Sequence, residues 1–450
     1  MAVTTVATAI PAQSPDDLSV WPATTVRGPH GDPTVSGVEL VDVAEQFGTP
    51  VHVLDETDVR ERCRAYRSAF PGADVLYAAK AFLCRAMVHW VHEEGLGLDV
   101  CSAGELELAV IAGLPPERIV FHSHAQHDAR PDDLRAALRH GVGRIVVDST
   151  SEIARLAAYV PQGTRQRVMA RVVPGVAAGG HAAIRAGTDD QKSGLSIADG
   201  SAMHAVTRLV EQSGLELTGL HCHIGSQIDT VKPYVVAVRH LVGLMARIRD
   251  RHGITLPELD IGGGHAVAHR PGEHPLDVPE LGRRVRRELA DACAQSDLPV
   301  PRLAVEPGRA VVARAGVALY RVLAVKRTGA RVFVAVDGGM SDSPRPALYG
   351  VRCAPRLVGR RSTAATRPVT VVGRHCEAGD VLAADVPLPD DVRPGDLLAV
   401  PVAGAYHLSM MASGYNLVGR PPVVAVADGR ARLLVRRESA EDLRSRDTGL

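Results

Sequence analysis

The chain has 450 residues, 46% of them hydrophobic and 23% charged, with Lys+Arg and Asp+Glu both at 51 and a formal net charge of +0. That composition belongs to a globular protein with sizeable cores and more than one domain, and the charge balance offers nothing to attract nucleic acid or an anionic membrane. The seven cysteines are scattered without a C-x-x-C pair, residues 1–20 lack a secretory leader, and no run is apolar enough to span a bilayer, so a cytoplasmic protein is expected.

In chain order, residues 1–45 read as a tail rich in Thr, Ala, Pro and Ser, followed by a segment that joins a β domain. Residues 46–305 alternate short β-branched runs with longer amphipathic stretches, the pattern of βα units around a parallel sheet. The expected strands are 74–78, 96–100, 118–122, 144–148, 167–173, 217–221, 258–261 and 302–306. Helices are expected over 85–93, 104–112, 132–140, 151–159, 203–212, 235–251 and 278–295. Eight such units close most naturally into a (β/α)8 barrel of the TIM type, with a doubly wound open sheet as the alternative. After Glu306 the rhythm changes to valine-rich runs between Gly, Pro and Asp, and residues 306–450 read as a mainly antiparallel β domain. Its expected strands are 311–325, 331–336, 369–372, 397–402 and 423–426, with 356–367 as an exposed loop.

A barrel of this kind places its chemistry on the loops that follow the strands. Lys80 follows the first expected strand, Asp99 ends the second and Arg171 lies in the fifth. His223 and Ser226 follow the sixth, Gly262, Gly263 and Gly264 the seventh, and Glu306, Gly308 and Arg309 the eighth. Each alone has a bland explanation as a solvated lysine, a core histidine or a turn glycine. Their convergence on one face of one barrel is harder to explain that way.

Three consecutive glycines let backbone N–H groups approach an anion, and barrels often hold phosphate at the loops after strands seven and eight. The run is not a dinucleotide fingerprint, since Val267 stands where the last glycine would be. A strand-end lysine with a phosphate cradle suggests pyridoxal 5'-phosphate, its aldehyde held by Lys80 as a Schiff base and Glu306 meeting the pyridine nitrogen.

The ordered motifs make this specific. They are Phe47 to Pro50, Tyr77 to Lys80, Asp99 to Glu105, His223 to Gln227, Gly262 to Gly264, Glu306 to Arg309, Val336 to Met340, Arg345 to Tyr349, His375 to Glu377 and Gly404 to Tyr406. In these the chain resembles the fold type III, alanine racemase-like, PLP-dependent decarboxylases, and among them most resembles the diaminopimelate decarboxylases of lysine biosynthesis. The resemblance implies that Lys80 bonds the cofactor, that His223 stacks on its ring, and that Arg171 and Asp99 lie beside it. It further implies that Ser226, the three glycines, Gly308, Arg309 and Tyr406 serve the phosphate side, with Arg309 and Tyr406 also near the substrate. Arg345 and Tyr349 would engage a substrate carboxylate and Glu377 the remote amino end. Cys376, from the partner subunit of a head-to-tail homodimer, would protonate Cα after CO2 leaves; a thiol is a competent acid near neutrality. The implied reaction is meso-diaminopimelate to L-lysine plus CO2.

The chain departs from that family at several loops. Ala378 stands where a serine usually follows Cys-Glu; Ser123, His124, Ala125 and Gln126 replace Gly-Asn-Asn-Lys; His265 replaces the leucine after the triple glycine; and Ser193 replaces the phenylalanine after Lys192. The Tyr406 to Tyr415 segment reads one residue longer than typical. These loops set substrate choice, so a paralogue acting on another amino acid or on a secondary-metabolite intermediate stays open. So do a racemase and, outside catalysis, a protein that only manages PLP supply. Metal readings of His122, His124 and His127, or of His221, Cys222 and His223, are not adopted: on a strand His221 and His223 share a face with Cys222 opposite.

Overall fold

The computed structural model describes residues 17–28, 31–123, 131–176, 178–179, 193–329, 331–412 and 414–449. The departures at His124 to Gln126, together with His127 and Lys192, fall outside the described residues, as does most of the expected tail. Two compact units are present, one comprising Arg60–Val267 and His274–Val311, the other Met1–Val59, Ala268–Glu273 and Val312–Leu450.

The first unit is a closed barrel of eight parallel strands: Asp74–Ala78, Gly97–Val100, Ile119–His122, Arg144–Val147, Gln166–Val173, Leu215–His221, Glu258–Asp260 and Arg302–Val305. Each pairs in parallel with its successor, and Ala304 of the last pairs with Asp74 of the first. The strands are almost wholly buried because helices cover the outside and side chains fill the inside, which is why they read as continuous apolar runs. Helices follow the strands at Arg85–Glu93, Ala103–Ile111, Pro131–His140, Thr150–Tyr159, Ser201–Val210, Lys232–His252 and Val278–Gln295. Two of them start on a serine cap: Ser102 accepts from Glu105 N–H and Ser149 from Glu152 N–H.

Inside the barrel Leu76, Val120, Val146, Met169 and Ala304 form one buried layer. Strand side chains alternate with period two. His122 therefore points inward two residues beyond Val120, Arg171 two beyond Met169 and Glu306 two beyond Ala304. The apolar layer thus sets the depth at which the polar residues stand at the strand ends.

At the opposite, strand-start end, Glu258 binds Arg144 at 2.9 Å and Arg302 at 2.8 Å, while Arg144 also reaches Asp74 at 2.8 Å. Burial works against the Glu258 charge, but Arg144, Arg302 and Arg167 outweigh it and hold its pKa at about 2. A depressed carboxylate stabilises the fold in full above its unfolded value of about 4.3, and that contribution is lost as pH falls towards 2. Glu258→Gln leaves the buried Arg144 poorly paired and is expected to cost about 3 kcal/mol. Differential scanning calorimetry at pH 7 should show a Tm lower by roughly 5–10 °C, with the gap between variant and wild type closing on acidification.

The second unit is built on a mixed sheet in the order Val381–Pro389, Thr366–Val372, Arg331–Val336, Gly316–Thr328, Val51–Asp55, Val423–Ala427 and Arg430–Val435. Leu397–Pro401 pairs Gly316–Thr328 and Arg356–Val358. Most pairings are antiparallel; Arg331–Val336 with Thr366–Val372 and Val51–Asp55 with Val423–Ala427 are parallel. Three details differ from the sequence reading. Residues 356–367 are not one loop, because Arg356–Val358 pairs with Leu397–Ala399 and buries Val358. The strand expected from 311 begins only at Gly316, since Arg309–Val312 makes a helical turn. Val51–Asp55 pairs within this sheet, between Gly316–Thr328 and Val423–Ala427, rather than with the barrel strands, and is buried throughout.

Candidate active site

Lys80 stands in a single 3-10 turn, Ala79–Ala81, immediately after the first barrel strand. Its Nζ lies 3.7 Å from Asp99 Oδ2, the lysine 44% exposed and the aspartate 4%. His122 Nε2 lies 3.4 Å from Asp99 Oδ1 and 2.8 Å from Glu306 Oε1. His221 Nε2 lies 3.3 Å from the other Glu306 oxygen. Five barrel strands thus contribute to one polar row that runs from the half-exposed Lys80, through the buried Asp99, His122 and Glu306, to the buried His221.

The charges in this row follow from burial and neighbours. Burial opposes a charged His122, yet Asp99 and Glu306 outweigh it and raise its pKa. Burial also opposes the Glu306 anion, and His122 and His221 reverse that, holding it well below the usual carboxylate range. His221 is lowered to about 4 by burial, which Glu306 only partly offsets. His223 is pushed well down by burial and by the cationic Lys80 and Arg171, which leaves it a neutral ring.

The loop after the seventh strand is fixed by backbone geometry. Gly262 N–H donates to Asp260 Oδ1 at 2.8 Å, and Glu306 N–H to Gly262 O at 2.9 Å. A Cβ at Gly263 would strike the carbonyl oxygen of Glu306, and one at Gly264 that of Gly225; Gly264 also has φ of 87°. No side chain fits there. Arg309 Nη2 donates to Ser226 Oγ at 3.2 Å, and a Cβ on Gly308 would crowd Ala78. Glycine backbone, a hydroxyl and a guanidinium therefore converge as an anion-binding set.

His265, the departure after the triple glycine, lies under this loop. Its Nδ1 meets Tyr66 Oη at 2.8 Å, its ring stacks on Tyr66, and Tyr234 packs against it while donating to Gly263 O at 2.9 Å. It faces a buried tyrosine pair, and burial lowers its pKa to about 4.

The remaining expected residues belong to the second unit. Arg345 opens the short helix Arg345–Tyr349, is 5% exposed, and has Cζ 5.7 Å from the centre of the Tyr406 ring. Tyr406 itself adopts φ of 58°. Cys376, Glu377 and Ala378 form an exposed turn. Asp380 anchors that turn by accepting from His375 N–H at 2.8 Å and Met340 N–H at 2.6 Å. Tyr415 Oη donates to Cys376 O at 3.3 Å.

The barrel unit thus brings together Lys80, Asp99, Arg171, His223, Ser226, Gly262, Gly263, Gly264, Glu306, Gly308 and Arg309. The second unit brings Arg345 to Tyr406 and sets Cys376 and Glu377 on one turn. His122 and His221 were not assigned to the site from sequence, although their place two residues past inward-facing positions was the available signal. With Glu306 they offer three ligand-type atoms within 4.8 Å of one another. The separations to Glu306 are those of hydrogen bonds.

The donor set fits pyridoxal 5'-phosphate: a strand-end amine for the aldehyde, a glycine cradle closed to any Cβ, a neutral ring at His223 whose Nδ1 has no hydrogen-bond partner among the described residues, and a buried anion at Glu306. Comparison with known proteins agrees. Residues 56–313 match the family described as pyridoxal-dependent decarboxylase, pyridoxal binding domain. The chain is 56% identical over 431 residues to a diaminopimelate decarboxylase of Actinosynnema pretiosum subsp. auranticum, covering 96% of each chain. It is 45% identical to the Mycobacterium bovis diaminopimelate decarboxylase, covering 95% of this chain and 97% of that one. A crystal structure of diaminopimelate decarboxylase from M. jannaschii in complex with L-lysine superposes with a TM-score of 0.88 at 28% identity, covering 95% of this chain and 98% of that one. Matched through its whole barrel and aligned with its relatives nearly end to end, the chain belongs to the pyridoxal-dependent decarboxylase family.

Proposed function

We propose that this chain decarboxylates meso-diaminopimelate to L-lysine and CO2. The observation that carries the reading is the near full-length match to diaminopimelate decarboxylases, 56% identical across 96% of the chain. All seven cysteines are free thiols, and no helix of the described residues is long and apolar enough to cross a membrane; both agree with a cytoplasmic enzyme.

Pyridoxal phosphate, when bound, supplies the electron sink that accepts the pair left on Cα as the carboxylate departs. The chain's own residues do the rest. Lys80 would hold the cofactor's aldehyde, with Asp99 3.7 Å from its Nζ to balance the ammonium. Ser226, Arg309 and the glycine N–H groups would hold the phosphate, and His223 would offer the ring a neutral, flat surface. Glu306 offers a fixed anion to the ring nitrogen. Arg345 and Tyr349 would take the substrate's remote carboxylate and Glu377 its remote ammonium, so that the scissile carboxylate alone would be left without a binding partner. Breaking the Cα–carboxylate bond releases CO2, and the Cys376 thiol of the partner subunit in a head-to-tail homodimer gives its proton to Cα.

The test is release of CO2 from meso-diaminopimelate set against ornithine, arginine, lysine and carboxynorspermidine. Turnover of meso-diaminopimelate well above the others is expected, and none would overturn the assignment. A second reading has a specific observation in its favour: Ala378 lacks the hydroxyl that follows Cys-Glu in the diaminopimelate enzymes. CO2 release from another amino acid alone would select it. Loss of optical rotation without CO2 would select a racemase.

A further inference from the structure

Glu306 is 3% exposed, yet each of its oxygens carries an imidazole N–H: His122 Nε2 at 2.8 Å on Oε1 and His221 Nε2 at 3.3 Å on Oε2. The histidines are 4% and 0% exposed, and their rings meet edge to face with centroids 4.7 Å apart. A carboxylate is acceptor-only, so both Nε2 atoms bear the proton, and His221 Nδ1 has no hydrogen-bond partner among the described residues. An isolated carboxylate this deep would take up a proton rather than stay charged. Two donors, one from the third barrel strand and one from the sixth, each on a different oxygen, also oppose rotation of the carboxylate.

We propose that His122 and His221 are positioning residues that hold Glu306 as an oriented anion and thereby keep the pyridine nitrogen of the cofactor protonated. This rests on the reading above that Glu306 meets that nitrogen. Without its two donors Glu306 would compete for the same proton, and the electron sink would weaken. The groups facing the pair fit this role. Asp99 shares His122 Nε2 at 3.4 Å with Lys80 beyond it, while Arg171 and the buried Asp260 act on the same group of residues. His122, between the carboxylates of Asp99 and Glu306, is held towards its charged form, while burial holds His221 towards the neutral one.

The experiment loads holoenzyme with cofactor labelled with 15N in the ring and reads the protonated fraction of that nitrogen by NMR, alongside kcat and KM. His122→Leu and His221→Leu should each shift the signal towards the deprotonated position and lower kcat by about 10–100-fold, with KM changed less than about twofold. His122→Gln, which keeps an N–H but loses the charge, should fall between them and wild type. An unmoved nitrogen signal in these variants overturns the proposal. If the leucine variants do not fold, His122→Gln decides alone, an unmoved signal again overturning it. Glu306→Gln separates the two levels: if the nitrogen stays protonated there, the placement of Glu306 has failed rather than the role of its histidines.

Discussion

Lys80→Ala is expected to abolish the imine absorbance at the edge of the visible range and to lower turnover by at least about 10⁴-fold. The lysine is positioned by a strand buried on both faces and by a one-turn helix that stops at Phe82, so its backbone does not depend on the side chain that the substitution removes. Its side chain is 44% exposed with Nζ 3.7 Å from Asp99 Oδ2, and a half-exposed ion pair contributes little to stability, so folding should be little affected. Cofactor should still bind through the glycine cradle, Ser226 and Arg309, but reversibly. Borohydride reduction followed by mass spectrometry then gives a cofactor adduct in the wild type and none in the variant. An adduct on another lysine, or retained turnover, would refute the assignment.

The eight barrel strands were legible in the sequence because helices outside and side chains inside bury both of their faces, and such strands appear as short apolar runs with polar residues at their ends. The second unit was less so. Val381–Pro389 and Arg430–Val435 carry alanine, aspartate, proline or exposed arginine, and nothing in their local pattern marks them as paired. Val51–Asp55 is strand-like in sequence, but its partners Gly316–Leu319 and Val423–Val426 lie far along the chain, and only tertiary structure assigns it to their sheet. In the candidate site, Lys80, the glycines and Glu306 were found from their place after strands. The bond between His122 and Glu306 was not, because a histidine on one strand gives no sign of which carboxylate a closed barrel will bring to it across a separation of 184 residues.

Arg345→Gln is expected to lower kcat/KM for meso-diaminopimelate by about 10²–10³-fold, chiefly through KM, while leaving the cofactor absorbance as in the wild type. Loss of a charge-assisted contact to a carboxylate in a desolvated site costs roughly 3–4 kcal/mol, which corresponds to that factor. Arg345 is suited to such a contact. It is 5% exposed, it opens a short helix whose Pro344 and Pro346 restrict the backbone on either side, and its guanidinium lies 5.7 Å from the centre of the Tyr406 ring. Loss of that packing is the competing explanation for a weakened enzyme, and Arg345→Lys separates the two. Lysine keeps the charge but not the planar fork, so a substrate role predicts partial recovery of KM, whereas a packing role predicts none. The substrates discriminate further. Lysine and ornithine lack the remote carboxylate, so whatever slow turnover they show should be nearly indifferent to Arg345→Gln. A loss as large for lysine as for meso-diaminopimelate would mean that Arg345 maintains the fold of its unit and does not recognise the second carboxylate.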